Sequence, residues 1–317
     1  MTPLTLHRRD DLLTAGRSSR DLATAARAGT LVRVRSGIYV DGAAWTAAVP
    51  EARVVARAQA LTLTSELAPV ISHESAAAAH GLGLFRPDPT RVHVVVPVER
   101  PGAASAVVRH RGELPGDEIV EINGLRVTSL ARTVADVART ATFDQAVTIA
   151  DAALRAQFVP KPGAYDAARA EEFRQTVFGI VRRSPHGQGR AKRVLAFADG
   201  RAQLPGESVS RIQLSELGFR VIALQVPVAG PGSKTYYIDF GLEDASAWGE
   251  FDGRLKYVDG RIVDGRSASQ IFDEEKQRED WIRGTTQRPF ARWGWPHLRA
   301  SADLGARLAA FGIVAPG

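Results

Sequence analysis

Short amphipathic runs and turn signals alternate through the first forty residues. The run HRRDDLLTAG has the apolar spacing of a helix and stops at Gly16, after which Ser18 offers a helix N-cap with Asp21 in the first turn. In LVRVRSGIYV, apolar and basic residues alternate around a Ser-Gly turn, as in a short β-hairpin. Two helices followed by a basic hairpin predict a winged helix-turn-helix over residues 1–45.

The pattern becomes mixed α/β between residues 46 and 158. PEARVVARAQALTLT predicts a helix, VISHESAAAAHGLGL a short strand leading into an alanine-rich helix, and VHVVVPV and SAVVRHRG two strands. Asn123-Gly124 is a strong turn signal between the strands EIVEI and LRVTS, and two amphipathic helices follow. We therefore expect a mixed α/β domain over 46–158.

The stretch 159–186 is rich in proline, glycine and basic residues and is predicted to be a linker. One helix is expected near 189–198. The last domain, 187–317, then shows in order a helix, three strands, a long charged helix and a final strand. Because helix-β-β-β-helix-β is the order of an α/β nuclease core, we predict an α/β multidomain protein ending in a restriction-endonuclease-like core.

Acidic residues in the last domain are spaced as a metal site requires. Glu207 begins a helix, Asp239 ends an apolar strand, and Glu250 and Asp252 are on the next strand. Alternate residues of a strand share a face, so Glu250 and Asp252 can point together towards Asp239, and Lys256 has the same parity. These five positions predict a catalytic site.

The chemistry of such a site follows from its ligands. Mg²⁺ or Mn²⁺ takes oxygen ligands, often one or two carboxylates plus waters and substrate phosphates. The ion polarises a phosphoryl group and lowers the pKa of its bound water, and a nearby lysine orients that water. The alternative is structural: the acids are surface charges on half-exposed strands, paired with Arg254 or Arg261.

A resemblance favours the first interpretation. ESVSRIQLSELGF, YYIDFGL, GEFDGRLKY and EEKQREDWIRG, in that order, are similar to the Vsr-like endonuclease branch of the PD-(D/E)XK nuclease superfamily, over residues 187–317. The resemblance implies that Asp239 and Glu250 are metal ligands, Asp252 a further acid and Glu207 a supporting acid.

Two positions depart from the pattern of that branch. The position of the superfamily's lysine, two residues after the second acid, holds Asp252, and the place of a histidine common in the branch reads Arg-Leu-Lys-Tyr. Either Lys256 substitutes for the missing lysine or the site is degraded. The resemblance therefore implies the fold more strongly than the activity.

The first 158 residues resemble a different group. LVRVRSGIYV, ISHESAAAAHGL and NGLRVTSLARTVADVAR are similar to AbiEi-type antitoxins of actinobacteria, which join a winged helix to a mixed α/β domain. Those proteins repress their own operon in type IV toxin–antitoxin systems. The resemblance implies operator DNA and a cognate toxin as partners.

Charge points towards double-stranded DNA. The chain carries a net charge of +6, and residues 1–40 hold seven arginines against three aspartates, or +4. The start of the second helix and the basic hairpin would contact bases and phosphates. The predicted DNA-binding residues are Ser18, Ser19, Arg20, Thr24, Arg33 and Arg35. The alternative is a protein–protein winged helix with solvated arginines.

Composition excludes several classes of site. The chain has no cysteine, which excludes disulfides, zinc fingers and thiol nucleophiles, and it shows neither a signal-peptide core nor an apolar run long enough for a bilayer. We expect a cytoplasmic protein with no membrane partner. His73 and His80 are seven residues apart and have no acidic partner at metal-ligand spacing, so we expect His73 to cap or pack rather than bind zinc.

Two classes of function follow from these patterns. One is a Mg²⁺-dependent DNA endonuclease targeted by its own winged helix. The other is a non-catalytic repressor of the antitoxin type with a degenerate nuclease domain. Asp239, Glu250 and a nearby lysine favour the enzyme, whereas the aspartate at position 252 favours the repressor.

Overall fold

The computed structural model describes residues 2–96, 106–253 and 268–316, so Lys256, Arg254 and Arg261 lie outside the described residues. The chain is mixed α/β and forms two compact units. The first comprises residues 1–153 and 172–197, and the second comprises residues 154–171 and 198–317. The finer division at residues 45, 158 and 187 stays a prediction.

The first unit begins with the predicted two helices and hairpin. In chain order the elements are β1 (His7–Arg8), α1 (Arg9–Thr14), α2 (Ser19–Arg27), β2 (Leu31–Arg35) and β3 (Ile38–Asp41). The strands form an antiparallel sheet in the order β1-β3-β2. The apolar face of α2 is fixed by its buried leucine, which packs beside the first residue of the hairpin.

A five-stranded mixed sheet follows, in the order β6-β5-β4-β8-β7. Strands β5 and β6 run parallel, as do β4 and β8, while β4 with β5 and β7 with β8 run antiparallel. The elements are α3 (Gly42–Ala47), α4 (Pro50–Thr64), β4 (Val70–Ile71), α5 (His73–Ala79), β5 (Val92–Val96), β6 (Val107–Arg111), β7 (Ile119–Ile122), β8 (Leu125–Thr128), α6 (Leu130–Thr140) and α7 (Phe143–Phe158). One face of this sheet packs its valines against α4 and α5 to form the core.

The predicted linker is largely helical. Helix α8 (Ala167–Val181) lies inside 159–186 and was not predicted, whereas α9 (Gln188–Phe197) matches the expected helix at 189–198. Ala170, Val177 and Val181 of α8 are fully buried, at spacings of seven and four residues. The segment therefore has an apolar helical face, which the surrounding proline, glycine and arginine residues obscure in the sequence.

The second unit contains the predicted helix-β-β-β-helix-β order and one further helix. Its elements are α10 (Pro205–Glu216), β9 (Ile222–Ala229), β10 (Thr235–Leu242), β11 (Ala247–Phe251), α11 (Ala268–Thr286), β12 (Phe290–Trp293) and α12 (Ser301–Ala309). The four strands have the order β12-β11-β10-β9, antiparallel except for the parallel pair β11 and β12. Its core includes the stacked rings of Phe240 and Trp293.

Two predicted details of these strands are wrong. Asp239 does not end its strand, because β10 continues to Leu242. Strand β11 ends at Phe251, so Asp252 follows the strand rather than lying on it, and its N–H donates to the Trp293 carbonyl at 2.7 Å. In the part of the chain that the structure describes, no helix is both long enough and apolar enough to cross a membrane.

Candidate active site

Glu207 is a buried acid at the beginning of α10. Its side chain is only 3% exposed, and one carboxylate oxygen accepts the Gln203 N–H at 2.9 Å. The preceding Gly206 lets the helix approach the end of β11, since a Cβ there would lie 2.1 Å from the Phe251 ring. That ring is itself in edge contact with Trp295. The absence of a side chain at Gly206 therefore allows the start of α10, which carries Glu207, to lie close to the sheet.

Asp239 lies on β10 and contacts residues of both neighbouring strands, β9 and β11. Phe240 pairs with Gly249 across to β11, which places Asp239 beside Glu250, and one Asp239 oxygen accepts the Phe251 N–H at 2.9 Å. The side chain thus replaces a backbone acceptor in the ladder between the two strands.

Gln225 on β9 joins the two acids. Its Nε2 donates to Glu207 Oε2 at 3.3 Å and to Asp239 Oδ1 at 3.2 Å, while its oxygen accepts from Gln203 Nε2 at 2.6 Å. Gln225 has φ of 51°, in the left-handed region that non-glycine residues rarely adopt inside a strand. The strained backbone directs an amide between two carboxylates.

Burial and mutual repulsion perturb both carboxyl groups. Burial raises the pKa of Glu207 to about 8, with the charge of Asp239 as a second cause. Burial likewise raises the pKa of Asp239 to about 7, and there the second cause is the charge of Glu250. Both groups are therefore destabilised when ionised, and a cation between them would relieve that cost.

Glu250 has a different environment from its two neighbours. It is 8% exposed and forms salt bridges with Arg278 on α11 and with Arg292 on β12, the latter at 2.9 Å. Arg278 also donates to the Tyr237 carbonyl at 2.7 Å and pairs with Glu275 at 2.9 Å. The sequence left open that these acids form ion pairs with Arg254 or Arg261. Glu250 does form ion pairs, but with Arg278 and Arg292.

Glu207 and Asp239 offer the carboxylate oxygens that a hard divalent ion takes and make no salt bridge within the described ranges, while a Mg²⁺ or Mn²⁺ site there stays a prediction. Glu250 would have to leave at least one arginine to become a ligand, so its predicted pairing with Asp239 around a metal stays a prediction. Asp252 lies directly after β11, and Lys256 lies outside the described residues. Gln225, Arg278 and Arg292 were not predicted, because nothing in their local sequence marks them.

The predicted base-reading residues are exposed but already hydrogen-bonded. Ser18 Oγ accepts the Asp21 N–H at 3.1 Å and the Ser18 N–H donates to the Asp21 carboxylate at 2.8 Å, forming a capping box that confirms the predicted N-cap. Ser19 Oγ accepts from Arg9 at 2.8 Å, and Thr24 Oγ1 from an arginine one turn later at 3.4 Å. Bound DNA would have to compete with these contacts.

The three predicted DNA-binding arginines, Arg20 for bases and Arg33 and Arg35 for phosphates or the minor groove, differ from one another. Arg20 and Arg33 are exposed, and Arg33 donates only locally, to Ser36 Oγ at 3.1 Å. Arg35 is partly buried and donates through Nε to Thr64 Oγ1, at the end of α4, at 2.6 Å. Arg20 and Arg33 are therefore better placed than Arg35 to reach a polyanion.

Comparisons with known proteins identify similar proteins, and the names of those proteins state no activity. No family model matches the sequence. The chain is 27% identical, over 233 residues, to the uncharacterized proteins MT2308 and Rv2248 of two Mycobacterium tuberculosis strains, covering 74% of this chain and 78% of each relative. A crystal structure of the RV2827C protein from Mycobacterium tuberculosis aligns with a TM-score of 0.35 and 15% identity, over 61% of this chain and 76% of that one.

Proposed function

We propose that this protein binds double-stranded DNA and hydrolyses phosphodiester bonds at Glu207 and Asp239 with the help of Mg²⁺ or Mn²⁺. One observation carries the proposal: two buried carboxylates share a single amide donor, have raised pKa values, and make no salt bridge within the described ranges. Strongly perturbed ionisable groups of this kind occur at functional sites more often than elsewhere.

The residues of the chain have separable roles in this proposal. Asp239 is held by the Phe251 N–H and by Gln225, so its carboxylate is fixed before any ligand arrives. Glu207 would add a second carboxylate from the helix once a cation lowers its raised pKa. A divalent ion, when bound, polarises the phosphoryl group and makes its bound water a nucleophile at neutral pH. Asp252 and Lys256 complete the predicted site as a further acid and as the residue that orients the attacking water.

Targeting is assigned to residues 1–45. Their helices and antiparallel hairpin place Arg20 and Arg33 on the surface, within the first forty residues, which carry a net charge of +4. Each phosphate that a protein neutralises contributes about −0.9 to the slope of log K against log salt. Replacing Arg33 with Ala should therefore flatten that slope by about one unit, and replacing Arg35 should flatten it less because Thr64 holds its side chain.

A plasmid-nicking assay tests the catalytic proposal. The wild-type protein should nick supercoiled DNA with Mg²⁺ or Mn²⁺ but not with EDTA, and Asp239→Asn should reduce nicking at least about a hundredfold, as loss of a group that stabilises transition-state charge does. Asparagine keeps an oxygen that accepts the Phe251 N–H, so the variant should fold. Asp280→Asn, an exposed position on α11, is the matched control.

A wild-type protein that neither nicks DNA nor gains thermal stability from either ion would overturn the enzyme proposal. The second candidate, a non-catalytic antitoxin-like repressor, is then favoured. It is supported by the salt bridges of Glu250 and by the aspartate in the position of the superfamily's lysine. Specific binding to the protein's own upstream region in a gel-shift assay, beside a neighbouring gene for a nucleotidyltransferase-like toxin, would support it directly.

A further inference from the structure

Three histidines of the first unit converge from three separate elements. His73 is the first residue of α5, His93 lies on β5 and His110 lies on β6. Because β5 and β6 are parallel and His93 pairs with Val108, His93 and His110 share one face of the sheet. The sequence pattern had paired His73 only with His80, whose Nε2 instead lies 2.8 Å from the Thr128 carbonyl oxygen.

The three imidazoles offer one nitrogen each within 4.8 Å of the others. His93 Nδ1 is 2.9 Å from His110 Nε2, and the ring of His73 stacks on that of His110 with centroids 3.4 Å apart. His73 Nδ1 lies 3.0 Å from Ser72 Oγ, whereas its Nε2 is buried and has no hydrogen-bond partner among the described residues. Each neutral imidazole has one N–H and one lone pair, so the three rings can offer at most three lone pairs to a common ligand.

Neutral imidazoles are the form that binds metals. Burial lowers the pKa of His73 well below its ordinary value, and burial with the nearby His93 lowers that of His110 to about 4. A metal ion would therefore displace few protons from these rings near neutral pH. Two nearby arginines disfavour a cation, but Arg132 and Arg139 are paired with Asp136 at 2.9 and 3.5 Å, which offsets their charge.

We propose that His73, His93 and His110 bind one transition-metal cation of the zinc type, with a fourth coordination position left for water or a small ligand. Three histidines with an open position form a known class of zinc site, and imidazole also suits copper, iron and nickel. Ser72 Oγ at His73 Nδ1 would fix the ring so that the unpartnered Nε2 faces the ion, as outer-shell partners of metal-bound histidines do.

The nitrogens of His93 and His110 are close to the spacing that a zinc ion requires, whereas the stacked rings of His73 and His110 would have to swing apart for both to point at one ion. Tetrahedral zinc with bonds of about 2.0–2.1 Å separates its ligand nitrogens by roughly 3.3 Å. The 2.9 Å between His93 and His110 would thus open by a few tenths of an ångström on binding. The site draws on no residue of the proposed nuclease centre.

Cobalt and zinc titrations of the tag-free, full-length protein test this inference. We expect one equivalent of Co²⁺ to give the intense visible bands of four- or five-coordinate cobalt, and zinc to displace it. His93→Gln and His110→Gln should each weaken zinc binding at least tenfold, whereas His186→Gln, an exposed residue of the same unit, should leave it unchanged. Asp239→Asn should retain the cobalt spectrum, which separates this site from the carboxylate site.

The contrary result is equally clear. If wild type gives only the weak spectrum of octahedral cobalt, or if the two cluster variants bind zinc as tightly as wild type, the histidines form a hydrogen-bonded packing group and the inference fails. Should a cluster variant not fold, the intensity of the wild-type cobalt bands still decides between these outcomes. A zinc-dependent rise in the melting temperature of wild type, reversed by EDTA, provides an independent measurement.

Discussion

Each unit buries a pair of acidic side chains, but the two pairs differ in what neutralises them. In the first unit, Arg132 contacts Glu118 at 2.7 Å and Asp136 at 2.9 Å. Burial raises the pKa of Glu118, but hydrogen bonds from Arg183 and Arg132 outweigh it and hold that pKa below its ordinary value. In the second unit, Glu207 and Asp239 make no salt bridge among the described residues, and the donor that they share is the neutral amide of Gln225.

The comparison shows that burial by itself does not mark a functional acid. The exposed fractions of Glu118 and Glu207 are 7% and 3%, too similar to separate a structural group from a chemical one. The presence of a cationic partner does separate them. Glu250 has cationic partners, Arg278 and Arg292, although it adjoins Asp239, and its role as a metal ligand stays a prediction.

The largest expected effect comes from removing the shared cation of the first unit. Arg132→Met would remove the cation that bridges Glu118 and Asp136, while Arg183 and Arg139 would keep one pair with each acid. The free energy of unfolding should therefore fall by about 3 kcal/mol, the lower end of the cost of breaking a buried ion pair. Urea unfolding at neutral pH measures it. Arg91→Met, which removes an exposed pair with Asp88, should change stability by less than about 1 kcal/mol. Equal effects of the two substitutions would remove the basis of the comparison.

The pH dependence of stability should reveal the second unit's pair. Between the ordinary carboxyl pKa near 4 and the raised values of Asp239 and Glu207, the folded state holds protons that the unfolded state has released. The free energy of unfolding should therefore fall as pH rises, by about 1.4 kcal/mol per pH unit for each group. Above the raised values this dependence ends.

The difference between wild type and Asp239→Asn isolates this contribution. The variant should lose the Asp239 part of the slope and also lower the pKa of Glu207, because a neighbouring charge is gone. Mg²⁺ should flatten the wild-type profile, since it binds the ionised form. Parallel profiles for the two proteins would show that Asp239 titrates normally and would count against an unneutralised pair.

The close approach of α10 to the sheet predicts an intermediate effect. Gly206→Ala places a methyl group against the Phe251 ring and should cost about 1–3 kcal/mol, since overpacking forces neighbours to move. Gly179→Ala, in α8 with open space around the new methyl, should instead stabilise by about 0.4–1 kcal/mol. Thermal melts of both variants, with nicking rates for Gly206→Ala, would measure these changes in stability. An unchanged melting temperature for Gly206→Ala would contradict the close contact.

The smallest effect concerns the bridging amide. Replacing Gln225 with Ala or Gly removes the same two hydrogen bonds, but glycine accepts positive φ without strain. The Gly variant should therefore be more stable than the Ala variant by about 1 kcal/mol, the reverse of the usual order in a strand. The usual order, measured by denaturant unfolding, would show that position 225 is not left-handed.

Local patterns predicted most elements of both units but not the contacts that distinguish the acids. The order of helices and strands in the second unit, and the hairpin around Gly37, follow from period and turn residues that act over a few positions. Helix α8 was missed because the turn-forming and basic residues around it resemble a linker. Asp252 was predicted to lie on a strand, because the alternation of apolar and polar residues shows which residues share a face. It does not show at which residue the strand ends.

The side chains around the candidate sites depend on contacts between distant parts of the chain. Arg278 and Arg292 reach Glu250 from 28 and 42 residues later, and no spacing rule connects positions that far apart. The histidines were missed for the same reason, since parallel strands bring His93 and His110 together across 17 residues. Gln225 acts through an unusual backbone conformation that its residue type disfavours.

The hydrogen bond from the Phe251 N–H to Asp239 makes one backbone amide a spectroscopic probe of the carboxylate. An amide proton that is hydrogen-bonded to a charged carboxylate resonates further downfield than one that is hydrogen-bonded to a neutral acid. The chemical shift of the Phe251 amide proton should therefore follow the protonation of Asp239 through the pH range. The same amide should also register an arriving cation, because the ion would withdraw electron density from the accepting oxygen. A single labelled phenylalanine would then allow the charge of this buried group to be followed by nuclear magnetic resonance, without changing any atom of the site.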